Sequence, residues 1–124
     1  MSTALLDTHV LAWLSGAPGK LSRKARSFLE EVDTLAVSEI VAFELEDLRI
    51  RGRLPEAVSL ARLREAFDLQ ILPLPTGVWR VAAQLPPVHR DSVDRMLIAH
   101  AIGADLTLVS ADEAMRGYPV RLVW

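Results

Sequence analysis

Short runs of apolar residues alternate along this chain with longer segments in which apolar residues recur every three or four positions. The runs are rich in the residue types that strands favour, so they are predicted strands. They cover residues 3–7, 34–38, 69–74, 106–110 and 119–124. The longer segments have the spacing of one helical face. These predicted helices cover residues 9–16, 22–29, 39–50, 55–67, 76–85, 92–103 and 111–117.

Local signals indicate where some of the helices begin. Ser22 and Thr76 are predicted N-caps, because a hydroxyl oxygen can accept a hydrogen bond from the free N–H groups of a first turn. Pro55 is predicted to lie in the first turn of its helix, where its missing N–H leaves no hydrogen bond unmade.

The order of elements indicates the fold class. Continuous apolar strands are typical of sheets buried on both faces, and strands that alternate with helices indicate parallel pairing. We therefore predict an α/β fold with a central, mostly parallel sheet of about five strands and helices on both faces. A length of 124 residues fits a single domain, residues 1–124. In such sheets, ligands bind beyond the carboxyl ends of the strands.

Composition narrows the function classes. A formal net charge of -2 argues against a domain that binds nucleic acid through bulk positive charge, although an enzyme that touches a few phosphates remains compatible with it. Cysteine is absent, which excludes disulfides and thiolate chemistry and is compatible with a reducing cytoplasm. Asp7 and His9 interrupt the first apolar run, which also lacks a basic start. We therefore expect no signal peptide and no membrane helix.

Two acidic residues follow predicted strands. Asp7 directly follows the first apolar run, and Asp112 lies two residues after Ser110 at the end of the fourth run. Both positions lie at the edge of the sheet where binding sites form. Asp is also a preferred N-cap, so each one taken alone is explained equally well as a helix cap.

Two more acidic residues lie close to apolar helical stripes. Glu44 is near the stripe of Val41, Leu45 and Leu48, and Asp94 is in line with the stripe of residues 97, 98 and 101. For either residue alone, the simpler explanation is a stem that packs and a carboxylate that reaches water.

The four acidic residues together favour a different explanation. Carboxylates are almost never buried unless they are paired or bind a metal, and a cluster of them repels itself. A hard divalent cation such as Mg²⁺ or Mn²⁺ relieves that repulsion and can activate water for phosphoryl chemistry. The pattern therefore predicts a metal site formed by Asp7, Glu44, Asp94 and Asp112.

With these residues identified, the chain resembles the PIN-domain ribonucleases, and among them most closely the VapC toxins of toxin–antitoxin pairs. Residues 5–14, LLDTHVLAWL, match the opening strand and helix, and residues 38–48, SEIVAFELEDL, match the second motif with Phe43 where the family usually has Trp. Residues 89–101, HRDSVDRMLIAHA, resemble H-R-D-P-F-D-R-x-L-I-A-Q-A, and residues 106–124 match the closing block.

The resemblance implies a Mg²⁺- or Mn²⁺-dependent endoribonuclease toxin that hydrolyses RNA phosphodiester bonds with one or two ions. It implies that Asp7, Glu44, Asp94 and Asp112 are both the catalytic residues and the metal ligands. It also implies a VapB-like antitoxin partner, and a homodimer that forms a heterotetramer or larger assembly with this antitoxin. The implied location is the prokaryotic cytoplasm, with no membrane association.

Four further polar residues have two interpretations each. Asp91 is either a fifth acidic ligand acting through water or, slightly favoured, a helix N-cap. Arg95 contacts the substrate phosphate or, the safer interpretation, pairs with Asp91. Thr8 and Ser110 hold a water or an Asp oxygen, or else form ordinary turn hydrogen bonds.

The three histidines, His9, His89 and His100, have no ligand spacing on one element, so we predict that none takes part directly in the chemistry. His89 is expected at the rim, where it can meet RNA.

Three other functions compete with the ribonuclease hypothesis. A receiver-like phospho-switch needs a late lysine, but no lysine follows Lys24. A catalytically silent PIN-shaped binding module does not explain why all four acidic positions are filled. A PIN-type nuclease for another nucleic acid, such as DNA, uses the same metal chemistry, so the sequence leaves it open.

Overall fold

The computed structural model describes residues 2–124, and its centre is one parallel sheet. The strands are β1 (Thr3–Leu6), β2 (Thr34–Ser38), β3 (Gln70–Leu72), β4 (Thr107–Val109) and β5 (Leu122–Val123). Their spatial order is β3-β2-β1-β4-β5, and every neighbouring pair is parallel. The predicted five-stranded parallel sheet is confirmed, with β1 in the middle.

Six α-helices accompany the sheet: α1 (Thr8–Gly16), α2 (Arg23–Glu31), α3 (Glu39–Ile50), α4 (Leu60–Phe67), α5 (Val78–Gln84) and α6 (Ser92–Gly103). Two short 3₁₀ turns cover Pro18–Lys20 and Glu113–Gly117. The consecutive residues Ala4, Leu5 and Leu6 are all fully buried. Successive strand residues point to opposite faces, so both faces of the sheet are covered, as the continuous apolar runs predicted.

Two predicted helix starts are wrong. Pro55 lies in a turn, and α4 begins only at Leu60, because Ser59 accepts a hydrogen bond from the backbone N–H of Arg62 at 3.2 Å and caps the helix there. Thr76 is not a cap either. The residue before α5 is Gly77, whose φ of 82° is left-handed and suits glycine. The cap at Ser22 is confirmed by its bond from the N–H of Ala25.

The topology brings the helices that carry acidic residues to one edge of the sheet. β1 and β4 are neighbours, with Leu6 opposite Val109 in register, so the residues after both strands lie side by side. α3 packs against both α1 and α6. Within residues 2–124, no helix combines the length and apolar character that a membrane crossing requires.

Candidate metal centre

A cleft of about 570 Å³ opens beyond the carboxyl ends of β1 and β4. Its lining combines acidic side chains with other polar, apolar and aromatic ones: Asp7, Thr8, His9, Trp13, Glu44, Leu48, Asp91, Asp94, Ala111 and Asp112. All four acidic residues of the predicted metal site lie in this cleft, although they are more than 100 residues apart at the extremes of the sequence. The structure therefore brings together the carboxylates that the sequence placed on four separate elements.

Asp7 is both a helix cap and a cleft residue. It is buried, and its Oδ1 accepts a hydrogen bond of 2.7 Å from the N–H of Thr8 at the start of α1. Its Oδ2 accepts a second bond, also 2.7 Å, from the hydroxyl of Ser110. Asp7 is therefore both a helix cap and a residue of the acidic site. One of its oxygens caps α1, and the other accepts a hydrogen bond from the hydroxyl of Ser110 after β4.

Glu44 is attached to the same network through Thr8, whose hydroxyl donates to Glu44 Oε1. Glu46, two residues later, has a different environment, because it pairs with Arg49 at 2.8 Å and accepts the N–H of Leu60. Thr8 therefore orients one carboxylate with its hydroxyl and another with its backbone N–H. This supports the interpretation of Thr8 and Ser110 as residues that hold acidic side chains.

Asp94 lies in the first turn of α6, and burial is the largest influence on its charge. Burial raises the pKa of Asp94, the negative charges of Asp7, Asp91 and Glu44 raise it further, and His89 opposes the rise; the result is about 7. Asp91 caps this helix, since its Oδ1 accepts the N–H groups of Val93 at 2.9 Å and Asp94 at 3.2 Å. The favoured interpretation of Asp91 as an N-cap is confirmed, and its carboxylate also lines the cleft.

His89 lies inside the acidic site and not at its rim, which corrects the sequence-based expectation. Its Nε2 lies 2.6 Å from Asp112 Oδ2 and 3.1 Å from Asp94 Oδ2, and only 13% of the side chain is exposed. Burial opposes a charge on the ring, but the carboxylates of Asp112, Asp94 and Asp91 outweigh it and raise the pKa of His89. Residue spacing could not predict this position of His89, because its partners Asp94 and Asp112 lie on α6 and after β4.

Asp112 is held from two sides. Its Oδ1 accepts the N–H of Ala114 at 3.0 Å, and its Oδ2 meets His89. Burial acts to raise the pKa of Asp112, but the bonds from His89 and Ala114 outweigh it, so the net shift is downward. The backbone N–H of Asp112 donates to Ser110 Oγ at 3.1 Å, so Ser110 connects Asp112 to Asp7.

Arg95 does not pair with Asp91, which corrects the safer of its two interpretations. Among residues 2–124 the ion pairs include none from Arg95, and its buried Nε has no hydrogen-bond partner. The two groups differ in burial, because Asp91 is an exposed helix cap whereas the Nε of Arg95 is buried. His100 is buried, with its Nδ1 2.8 Å from the hydroxyl of Ser38, and it is not among the residues that line the cleft.

The donor atoms of the site suit a hard divalent cation. The four acidic side chains offer carboxylate oxygens, which Mg²⁺ and Mn²⁺ prefer. Ligand atoms of His89, Asp94 and Asp112 all lie within 4.8 Å of one another. Burial and, after it, the negative charges of Asp7, Asp91 and Glu44 raise the pKa of Asp94, and a bound cation would favour its charged form.

The metal-free protein should depend on pH in a way that identifies Asp94. A carboxyl whose pKa rises on folding stabilises the fold while protonated, and that stabilisation is lost as pH rises from its unfolded value of 3.8 to about 7. We therefore expect the melting temperature of the wild type in chelator to fall relative to Asp94→Asn across this range. Parallel melting curves at every pH would contradict this.

Comparisons with known proteins agree with this architecture. The family model described as the PIN domain matches residues 4–120. Ribonuclease VapC22 of Mycobacterium tuberculosis (strain ATCC 25618 / H37Rv) is 35% identical over 123 residues, which is 95% of this chain and 93% of that protein. The chain therefore belongs to the PIN domain family, and within it to the VapC ribonucleases, as the sequence motifs predicted.

Solved structures share the fold at low sequence identity. VapBC2 from Rickettsia felis, bound to a DNA fragment from its promoter, aligns with a TM-score of 0.73 at 17% identity, over 97% of this chain and 96% of that one. VapC20 of Mycobacterium tuberculosis, a toxin that cleaves the sarcin–ricin loop, aligns with a TM-score of 0.70 at 15% identity, over 94% and 95%. At these identities the likeness establishes the fold.

Proposed function

We propose that this chain is a single PIN-like domain, residues 1–124, that acts as the endoribonuclease toxin of a type II toxin–antitoxin pair. It would hydrolyse RNA phosphodiester bonds with one or two Mg²⁺ or Mn²⁺ ions. The observation that carries the proposal is the convergence of Asp7, Glu44, Asp94 and Asp112 in one cleft of a chain related to a VapC ribonuclease.

The residues of the site would share the work as follows. Asp7, Glu44, Asp94 and Asp112 would hold the ions, and Ser110 and Thr8 would fix the carboxylates of Asp7 and Glu44 through the bonds described above. A bound divalent ion supplies a Lewis acid that activates water and stabilises charge on the phosphate. Fixed ligands matter because supporting hydrogen bonds preserve the geometry that the ion requires.

Charge explains why an acidic cleft would nevertheless accept RNA. A phosphodiester is repelled by four carboxylates, and the chain carries a net charge of -2. Bound cations would neutralise much of this negative charge, so metal loading and substrate binding would be coupled. Trp13 and Leu48 also line the cleft and offer apolar surface beside the carboxylates, against which a base can pack.

We also propose an antitoxin partner, because of the structural relatives of the chain and the negative charge of its cleft. The structural relatives include a toxin–antitoxin complex from Klebsiella pneumoniae, with a TM-score of 0.67 at 21% identity over 98% of this chain and 96% of that one. An acidic cleft is suited to a basic side chain from a VapB-like partner, which would take the place of the ions. We propose a homodimer that forms a heterotetramer or larger assembly with the antitoxin in the prokaryotic cytoplasm.

The direct test is cleavage of RNA by the purified chain under three metal conditions. We expect cutting with Mg²⁺ or Mn²⁺, none with chelator, and recovery when the ion is returned in excess. Single-stranded DNA of the same sequence serves as the matched substrate. Metal-independent cutting of RNA would refute the metal role, and preference for DNA would replace the proposed substrate. Binding of RNA without cutting in any metal would indicate the silent binding module.

A further inference from the structure

We propose that His89 bridges Asp94 and Asp112 in the metal-free site as a hydrogen-bond donor, until a divalent ion displaces it. The proposal rests on the proposed metal function and adds a role for one side chain. It places a proton donor, and not a fifth ligand, between two of the four carboxylates.

The imidazole of His89 lies between two of the acidic side chains. Nε2 of His89 is within hydrogen-bond distance of Oδ2 of Asp112, at 2.6 Å, and of Oδ2 of Asp94, at 3.1 Å. Asp94 belongs to α6 and Asp112 follows β4, so the imidazole is the bridge between them. A magnesium ion that binds these same two oxygens needs to approach each to about 2.1 Å. An ion that bridges these two oxygens therefore competes with the ring nitrogen for them.

The hydrogen bond at Nδ1 of His89 decides which ring nitrogen carries the proton. The N–H of Asp91 lies 3.1 Å from Nδ1 of His89, so in the neutral ring Nδ1 accepts this bond and the proton is on Nε2. In the charged ring Nε2 carries a proton as well. Either form therefore presents an N–H at Nε2 to the carboxylates, whereas a metal ligand needs a lone pair there. His89 in this arrangement is a donor to Asp94 and Asp112 and is not ready to bind an ion.

The backbone at His89 is held by a hydrogen bond of its own. The backbone N–H of His89 donates to the hydroxyl of Tyr118 at 2.8 Å, and that hydroxyl donates to the carbonyl of Pro86 at 2.7 Å. Tyr118 is buried. This anchor uses only the main chain of His89, so it does not depend on the imidazole. Removal of the imidazole therefore leaves the anchor intact.

The test measures Mn²⁺ binding by calorimetry and the melting temperature with and without Mn²⁺, at one fixed pH. For His89→Ala we expect Mn²⁺ to bind about tenfold more tightly, or about 1.4 kcal/mol, because the competitor is gone and the carboxylates are unshielded. The metal-free protein should melt at a lower temperature than wild type, and the gain on adding Mn²⁺ should be larger. His89→Gln, which keeps an N–H donor near the same place, should lie between the two.

Three outcomes overturn the proposal. Weaker Mn²⁺ binding in His89→Ala would make His89 a ligand or a structural support, unchanged binding would leave it without a role, and no Mn²⁺ response in any variant would remove the site. Glu46→Gln is the control, because Glu46 pairs with Arg49 outside the cleft, and it should bind Mn²⁺ like wild type. Tighter binding in His89→Ala with no RNA cleavage by the wild type would refute the proposed function alone.

Discussion

The Asp94→Asn protein is expected to lose at least about 100-fold of the metal-dependent RNA cleavage rate, since even supporting residues of metal sites cost about 10–100-fold. Asparagine has nearly the same shape but no negative charge, so it removes an anionic ligand without opening a cavity. The fold should persist, because the cap of α6 is made by Asp91 and its buried stripe is untouched. Initial rates on a fluorogenic RNA and a circular dichroism spectrum measure the two effects separately.

A stability measurement distinguishes loss of a ligand from general damage. In chelator above pH 7, Asp94→Asn should melt at a higher temperature than wild type, because a carboxyl with a pKa of about 7 is there forced to ionise among Asp7, Asp91 and Glu44. Glu46→Gln is the control for charge alone, since Glu46 pairs with Arg49 away from the cleft. Wild-type cleavage by Asp94→Asn, or a comparable loss in Glu46→Gln, would refute the assignment of the site.

The four acidic positions were predictable because topology decides them. Residues that follow adjacent parallel strands must lie at one edge, so Asp7 and Asp112 are brought together by the pairing of β1 with β4. Helical period decides the rest. Glu44 and Asp94 lie on the faces of α3 and α6 that carry Leu45 and Leu97 into the core, so their carboxylates are drawn toward the same interior edge.

His89 and Arg95 were not predictable by these rules. His89 lies in a loop with no period, and its place beside Asp112 depends on the bond from its backbone to Tyr118, a contact across 29 residues. Arg95 was expected to pair with Asp91 because the two are one turn apart, but Asp91 is an exposed helix cap and the Nε of Arg95 is buried. Spacing along the chain predicts which side chains are close on one helix. It does not predict contacts between separate elements or which neighbouring group a carboxylate binds.

The misplaced helix starts have a related cause. Pro55 and Thr76 are each compatible with a first turn, yet Ser59 and Gly77 occupy that boundary. A helix begins where the backbone can turn and a donor is satisfied, and several neighbouring residues meet one of those conditions. Such errors of a few residues did not disturb the site, because no acidic residue of the cleft lies on α4 or α5.

Leu97→Ala is expected to have the opposite effect to Asp94→Asn, although the two residues are one turn apart on α6. Leu97 is fully buried, and truncation of a buried leucine costs about 2–5 kcal/mol of unfolding free energy, a large share of the roughly 5–15 kcal/mol of a typical domain. Below the lowered melting temperature the cleft should keep its carboxylates and cleave RNA at a rate close to wild type. Urea denaturation measures the loss, and Ile50→Ala, at a side chain 74% exposed, should cost less than about 0.5 kcal/mol. A Leu97→Ala protein that was fully stable but inactive would contradict this assignment, in which Leu97 serves the core and Asp94 serves the acidic site.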